Sequence, residues 1–169
     1  AADLTIITDD ASGGSMSIAE GELIYGLQDH LDTWGPLDII AFDACLMGSW
    51  EVAHALQDHA AYMTASEEGV GMNGYAYDRI LTHIKQDTEA ELEGIVEEIA
   101  RSTVEDNDEY THSAIDLSQI SVLSTAIDDL AAAVLDSPAL QTELLSARDD
   151  SFGMWGEGWE VWYIDLLDL

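Results

Sequence analysis

Short apolar runs alternate along this chain with segments whose apolar residues recur at helical spacing. Leu4–Thr8 has a strand pattern and leads into the turn-rich stretch Asp9–Ser15. Ser17 and Glu20 stand at capping-box spacing, which predicts a helix to about Thr33, where Gly35 and Pro36 stop it. Leu37–Phe42 (LDIIAF) is short, apolar and β-branched at its centre, as a strand buried on both faces should be. Met47, Trp50, Ala53, Leu56 and Ala60 then predict a helix over Met47–Ala60, and Ala61–Ser66 is the next strand candidate. Beyond the glycine-rich loop Gly69–Gly74, helices are expected over Tyr75–Gln86 and Thr88–Val104, the second opened by a box of Thr88 and Glu91. His112–Leu117 reads as a strand and Ser118–Leu135 as a helix. Ser137 and Pro138 form an N-cap and N1 pair for another helix, and Val161–Asp165 reads as a last strand.

Strands that alternate with helices imply an α/β sandwich with a mostly parallel sheet flanked by helices. In such sheets reactive groups gather beyond the carboxyl ends of the strands. The 169 residues are enough for one domain, with no repeat or low-complexity stretch, and the 47 % of apolar residues argues against disorder. No apolar run approaches the ~20 residues of a membrane helix, and AADLTIITDD lacks the basic region of a signal peptide.

Charge sharpens the picture. Thirty-five acids face only Arg79, Lys85, Arg101 and Arg148, a formal −31. Such a surface repels nucleic-acid phosphates and anionic membranes, so neither is an expected partner. It also repels itself unless salt screens it. Acids spread along the chain beside a single Lys suggest a high-salt environment. A dispersed calcium-binding surface is the alternative, although no EF-hand-like loop is present.

One cysteine excludes an internal disulfide and a Cys-rich zinc site. Cys45 is then a free thiol, a redox sensor, a buried small hydrophobe or a nucleophile. It lies three residues after LDIIAF and just before the predicted helix. A helix N-terminus there would favour thiolate, and the Cys45 backbone N–H could serve an oxyanion. That placement makes a nucleophile plausible without deciding it.

The stretch FDACLMGSWEVAHALQDHAAYMTASEEG resembles the nucleophile segment of the clostripain family, relatives of caspases, gingipains and legumains. ITDDASGGSMSIAEGEL upstream, and HSAIDLSQISVL and SFGMWGEGWEVWYIDLLDL downstream, are similar to further family stretches. The resemblance implies a caspase-like three-layer sandwich and a cysteine endopeptidase, with residues 1–169 as the Cys-bearing portion of one peptidase domain. It makes Cys45 the nucleophile and places Asp43 near the floor of the S1 pocket, where an acid would suit Arg or Lys. A loop acid capping the Cys45 helix is the other reading of Asp43. Ala44, Ser66, Glu67 and Asn73 join the expected substrate-binding set, while Glu67 and Glu68 read equally as solvated loop acids. The family loop often runs Thr-Glu-Pro-Gly, a variable residue that can be acidic, then Gly-Trp. Here it is Gly69-Val70-Gly71-Met72-Asn73-Gly74-Tyr75, so Asn73 stands near the place of that acid.

In the family the catalytic His lies in a His-Gly motif ahead of the cysteine. None of His30, His54, His59, His83 and His112 is followed by Gly. His54, Asp58 and His59 are a weak metal set, since i and i+5 share a helix face poorly. The resemblance therefore implies a noncovalent partner, the N-terminal chain of the same precursor, which supplies the His and the first strands. Ala1 reads as the downstream product of a cut. Peptides or proteins are the expected substrates, no cofactor is required, and calcium is a possible accessory. A secreted or cell-surface location is expected. An inactive acidic binding module on the same fold, or a calcium-binding surface domain, is the competing reading.

Overall fold

The structure, a computed structural model, describes residues 5–9, 11–106, 111–151, 153–154 and 163–164. The chain divides into two compact units, Ala1–Ile120 and Ser121–Leu169. The first opens with a hairpin of β1 (Thr5–Asp9) and β2 (Gly14–Ser17). Leu4 lies outside the described residues, and β2 occupies part of the stretch expected to be only a turn. Then follow α1 (Glu22–Trp34), β3 (Leu37–Ala41), α2 (Trp50–Leu56), β4 (Ala60–Ala65), α3 (Tyr77–Gln86), α4 (Leu92–Asp106) and β5 (Ser113–Asp116).

β3, β4 and β5 form one sheet in that order. Its two faces carry separate apolar clusters. One joins Ile40, Met63, Ala65 and Ile115 of the strands to Leu23 and Ile24 of α1 and to Val52, Ala53 and Leu56 of α2. The other joins Ile39 to Tyr75, Ile80 and Ile84, and to Ile95 and Ile99 of α4. The expected three layers are therefore present in this unit, with α1 and α2 on one face and α3 and α4 on the other.

The sheet is not mostly parallel. β3 and β4 pair parallel, with Ile40 opposite Met63, but β4 and β5 pair antiparallel, with Met63 opposite Ile115. The number of helices in each connection explains this. One helix, α2, carries the chain back to the start of the next strand and makes the pair parallel. Two helices separate β4 from β5, and they return the chain to the end it left. Arg79 near the start of α3 bonds Glu105 (2.5 Å) and Asp106 (2.7 Å) at the end of α4, so the two helices are antiparallel neighbours.

Two expected helix starts are shifted. Ser17 Oγ accepts the Glu20 N–H (3.3 Å), but the Ser17 N–H donates to Glu22 (2.7 Å), and α1 begins five residues on, behind Gly21 at φ 77°. The box closes the turn from β2 to α1 instead of capping the helix. The Thr88–Glu91 box is replaced by a turn in which Ala90 N–H bonds the Asp87 carbonyl (3.3 Å), so α4 starts at Leu92.

The first unit ends in a 3-10 turn at Leu117–Gln119, and α5 (Ile120–Leu135) follows it in sequence. Ser137 caps α6 (Pro138–Asp150) through the Leu140 N–H at 3.4 Å, as expected. β6 (Gly153–Met154) and β7 (Tyr163–Ile164) pair antiparallel. The ends of the expected strand Val161–Asp165 lie outside the described residues. One expectation about membranes needs correcting: Leu117–Leu135 is a 19-residue helix of mean hydropathy 1.2, long and apolar enough to span. Asp128 and Asp129 stand near its middle. Each would cost about 2.5–3.5 kcal/mol in hydrocarbon, which argues against insertion.

Leu56 of α2 is fully buried in the larger cluster. Leu56→Ala is expected to destabilise by about 2–5 kcal/mol in chemical denaturation, through lost burial and the cavity left behind.

Candidate active site

The Cys45 region is built by a reversal of the backbone. Parallel pairing with β4 continues one step past β3, where the Phe42 N–H bonds the Thr64 carbonyl at 2.9 Å. After the turn, Leu46 N–H bonds Glu68 O (2.9 Å) and Gly48 N–H bonds Ser66 O (2.8 Å). One number now falls as the other rises, so the chain is running back along the segment it has just passed. Leu46 sits at φ 64°, the left-handed region that a residue with a side chain adopts at a cost of about 1–2 kcal/mol. Gly48 is required by the closeness of the two chains. A Cβ there would lie 2.8 Å from the Ser66 carbonyl carbon and 2.9 Å from the Glu67 nitrogen.

Cys45 stands exposed at the apex, beyond the carboxyl end of β3. It does not precede a helix directly. α2 begins at Trp50 with Ser49 as its cap, whose Oγ accepts the Val52 N–H at 3.4 Å. The expected helix-terminus stabilisation of the thiolate therefore has no structural basis, and Asp43 caps no helix. What meets the sulfur is a loop: the Val70 N–H donates to Sγ at 3.2 Å, and Sγ lies 3.7 Å from the Val70 carbonyl oxygen.

Asp43 Oδ2 accepts from Tyr77 Oη (2.8 Å) and from the Tyr75 N–H (3.4 Å). Gly74, at φ 63°, lies against this carboxylate so closely that a Cβ would collide with it. The hydrogen bond to Asp43 raises the Tyr77 phenol above its ordinary range. Tyr75 is raised further, first by burial and then by the Asp43 charge. Both tyrosines are thus held as neutral donors.

The other expected residues surround this pair. Ala44 is half-buried and packs on the larger core cluster. Ser66 is fully buried, its Oγ bonded to Thr111 Oγ1 (3.2 Å) and to the Glu68 N–H (3.2 Å), so it braces the wall from behind. Glu67 is fixed by the Ser113 hydroxyl. Asn73 is exposed in the turn closed by the bond from Gly74 N–H to Gly71 O (3.1 Å).

His112 is the residue that sequence reasoning missed. It meets Tyr75 edge-on, with ring centroids 5.0 Å apart, and neither ring nitrogen has a hydrogen-bond partner among the described residues. Burial lowers its pKa, opposed by the charges of Glu67 and Asp43. Its place just before β5 brings it to the Cys45 loop only because β5 runs antiparallel to β4, with Ser113 opposite Ala65; no local sequence signal marks it. His30 and His54 are exposed on α1 and α2, and His83 lines a cavity of about 290 Å³ between α3 and α4. Among the described residues, no group of three or more His, Cys, Asp or Glu side chains could hold a metal ion.

The fold and site define a class: a layered α/β protein that lifts an exposed thiol beyond the carboxyl edge of its sheet. The profile of the clostripain family matches residues 6–160. The chain belongs to that family. Clostripain of Hathewaya histolytica is 36 % identical over 81 residues, which are 45 % of this chain and 15 % of that protein. A cysteine protease of B. fragilis superposes with a TM-score of 0.56 at 23 % identity, over 73 % of this chain and 52 % of that one. A clostripain from Bacteroides thetaiotaomicron, solved with a peptide inhibitor, gives 0.55 at 23 % identity, over 73 % and 53 %. These two structures share the fold. The chain spans about half of their length and less of the Hathewaya protein.

His112 has a consequence for stability. Its pKa lies below the ordinary 6.5, so the unfolded chain takes up a proton that the folded state resists. Stability should fall as pH drops through 6.5, and the loss should level off below the folded pKa. His112→Phe is expected to flatten the decline in Tm between about pH 7.5 and 5.5, and equal slopes in both proteins would refute this.

Proposed function

We propose that this chain carries the nucleophile of a cysteine endopeptidase, with Cys45 as the attacking group and Arg or Lys preferred before the scissile bond. The observation that carries the reading is an exposed thiol at the turn beyond β3, two residues from the anchored carboxylate of Asp43. Family membership and the proteases that share the fold support it. The thiolate forms a C–S bond to the carbonyl carbon while the C–N bond breaks and a His protonates the leaving amine. Water then hydrolyses the thioester. Tyr75 and Tyr77 engage Asp43 Oδ2, and Oδ1 is the acceptor we assign to the substrate cation. Glu67 adds negative charge, Ala44 and Ser66 back the pocket, and Asn73 stands at its rim.

We assign the base to a His on a separate upstream chain of the same precursor. Among the described residues the sulfur's bonds run to Val70 and to no imidazole. β3 is an apolar edge strand in the order β3-β4-β5, and such an edge calls for cover that a partner's strands would supply. A secreted or cell-surface location is our reading, supported by a structural neighbour from Bacteroides thetaiotaomicron described as a secreted C11 cysteine protease. The formal charge of −31 supports a salt-rich setting.

Cys45→Ala is expected to abolish hydrolysis of Arg- and Lys-terminated amides, and cleavage that survives full alkylation of Cys45 by iodoacetamide would overturn the mechanism. Asp43→Asn should lower kcat/KM for those substrates by about tenfold or more and affect uncharged ones less. Mass spectrometry of active native material should find a second, His-bearing chain. Full activity from the 18.4 kDa species alone would contradict the two-chain arrangement.

A further inference from the structure

We infer that the backbone N–H of Val70 is a catalytic donor, holding negative charge on the Cys45 sulfur in the place that a helix N-terminus would otherwise fill. The inference rests on Cys45 being the nucleophile and adds the group that stabilises it.

The geometry is specific. The Val70 N–H points at Sγ from 3.2 Å, while the carbonyl of the same residue lies 3.7 Å from Sγ, within reach of the S–H hydrogen. One residue therefore serves both states of the sulfur. In the thiol, S–H donates weakly to the Val70 carbonyl and the N–H donates to a sulfur lone pair. When the proton leaves for the base, the S–H contact is lost and the N–H bond becomes charge-assisted, roughly doubling in strength. The amide is nearer than the carbonyl, so the attraction outweighs the new repulsion between sulfur and oxygen.

The donor is held from both sides. Upstream, Glu68 is tied to Leu46 by the 2.9 Å backbone bond, one residue from the thiol itself. Downstream, the turn Gly71–Gly74 leads into Tyr75, whose N–H, with the Tyr77 hydroxyl, is anchored on Asp43. Val70 thus lies between two clamps that both end on the Cys45 segment. The groups that orient this loop are the groups assigned to bind the substrate cation, so pocket and nucleophile share one support. The helix that follows does not supply the donor, because its first turn begins five residues beyond Cys45 and is capped by Ser49.

Only proline at position 70 removes the N–H while keeping an apolar side chain. In the purified protein, iodoacetamide should alkylate Cys45 of Val70→Pro about tenfold or more slowly at neutral pH than in the wild type. Val70→Ala, which keeps the N–H, should react at least about ten times faster than Val70→Pro. Equal rates for the two variants would overturn the inference. Because Val70→Pro could disturb the loop, amide exchange of the unsubstituted loop gives a second reading. The Val70 amide should be protected relative to those of Met72 and Asn73, and Cys45→Ala should speed its exchange about tenfold. A Val70 amide that exchanges as fast as its exposed neighbours, indifferent to Cys45, would also sink it. Neither readout needs peptide cleavage. Loss of protease activity with these effects intact would count against the proposed function alone.

Discussion

The reversal of the backbone at Cys45 and Leu46, locked by the bonds from Leu46 to Glu68 and from Gly48 to Ser66, is the constraint on which the site depends. A parallel strand pair can end in many ways, and most would leave a following cysteine at an arbitrary distance from the neighbouring loop. Here the chain continues past β4, folds back and bonds a second time to the stretch beyond it. The left-handed Leu46 makes the fold-back and Gly48 lets the two chains touch. Strain of this kind persists only where surrounding structure over-determines it. The fully buried Met63 and Ala65 behind the loop, with the parallel register of β3 on β4, provide that support.

Cations are so few that their placement matters. Two of the four basic side chains, Arg79 and Arg101, share Glu105 at the end of α4, and Arg79 also bonds Asp106 while Arg101 bonds Glu98. Individually the exposed pairs with Glu105 and Asp106 contribute little. Their position is more informative than their number. Arg79 lies in the first turn of α3, two residues from Tyr77, the donor on Asp43. The clamp that keeps α3 on α4 therefore also registers the segment that holds the Asp43 carboxylate beside Cys45. In a chain of formal charge −31, this joint is among the few places where attraction offsets the general repulsion.

Much of this was legible in the sequence, and the misses have physical causes. LDIIAF identified β3 because a strand buried on both faces needs apolar residues without alternation, and the cysteine followed at the carboxyl end. The start of α2 was read too early because Met47 falls in helical phase, although it serves the core from an irregular segment; Met47 is buried before the helix begins. The expected mostly parallel sheet is mixed instead, because alternation of elements does not encode how many helices intervene. Of the site residues, Cys45 and Asp43 stood in one motif. Tyr75, Tyr77 and His112 converge on Asp43 from 32 to 69 residues further along the chain, and nothing local in their sequence announces that meeting.

Expecting a helix terminus beside the thiol was reasonable for a strand-to-helix turn, and its failure changes how the site must work. A helix end supplies several N–H groups whose direction is set by the helix axis. The Cys45 turn has one loop amide whose direction is set by two side-by-side anchors, Glu68 on Leu46 and Tyr75 on Asp43. On the proposed reading, a donor placed in this way responds to what binds Asp43, because the same carboxylate anchors the loop through Tyr75 and Tyr77. The proposed substrate recognition and the proposed stabilisation of the Cys45 sulfur are then mechanically joined. In the proposed pocket a cation on Asp43 Oδ1 draws on the same carboxylate that holds the Tyr75–Tyr77 end of the loop through Oδ2, and any shift there is transmitted along Gly74–Gly71 to the amide on the sulfur. The short glycine-punctuated path, with no regular element between the two points, is what makes that coupling physically direct.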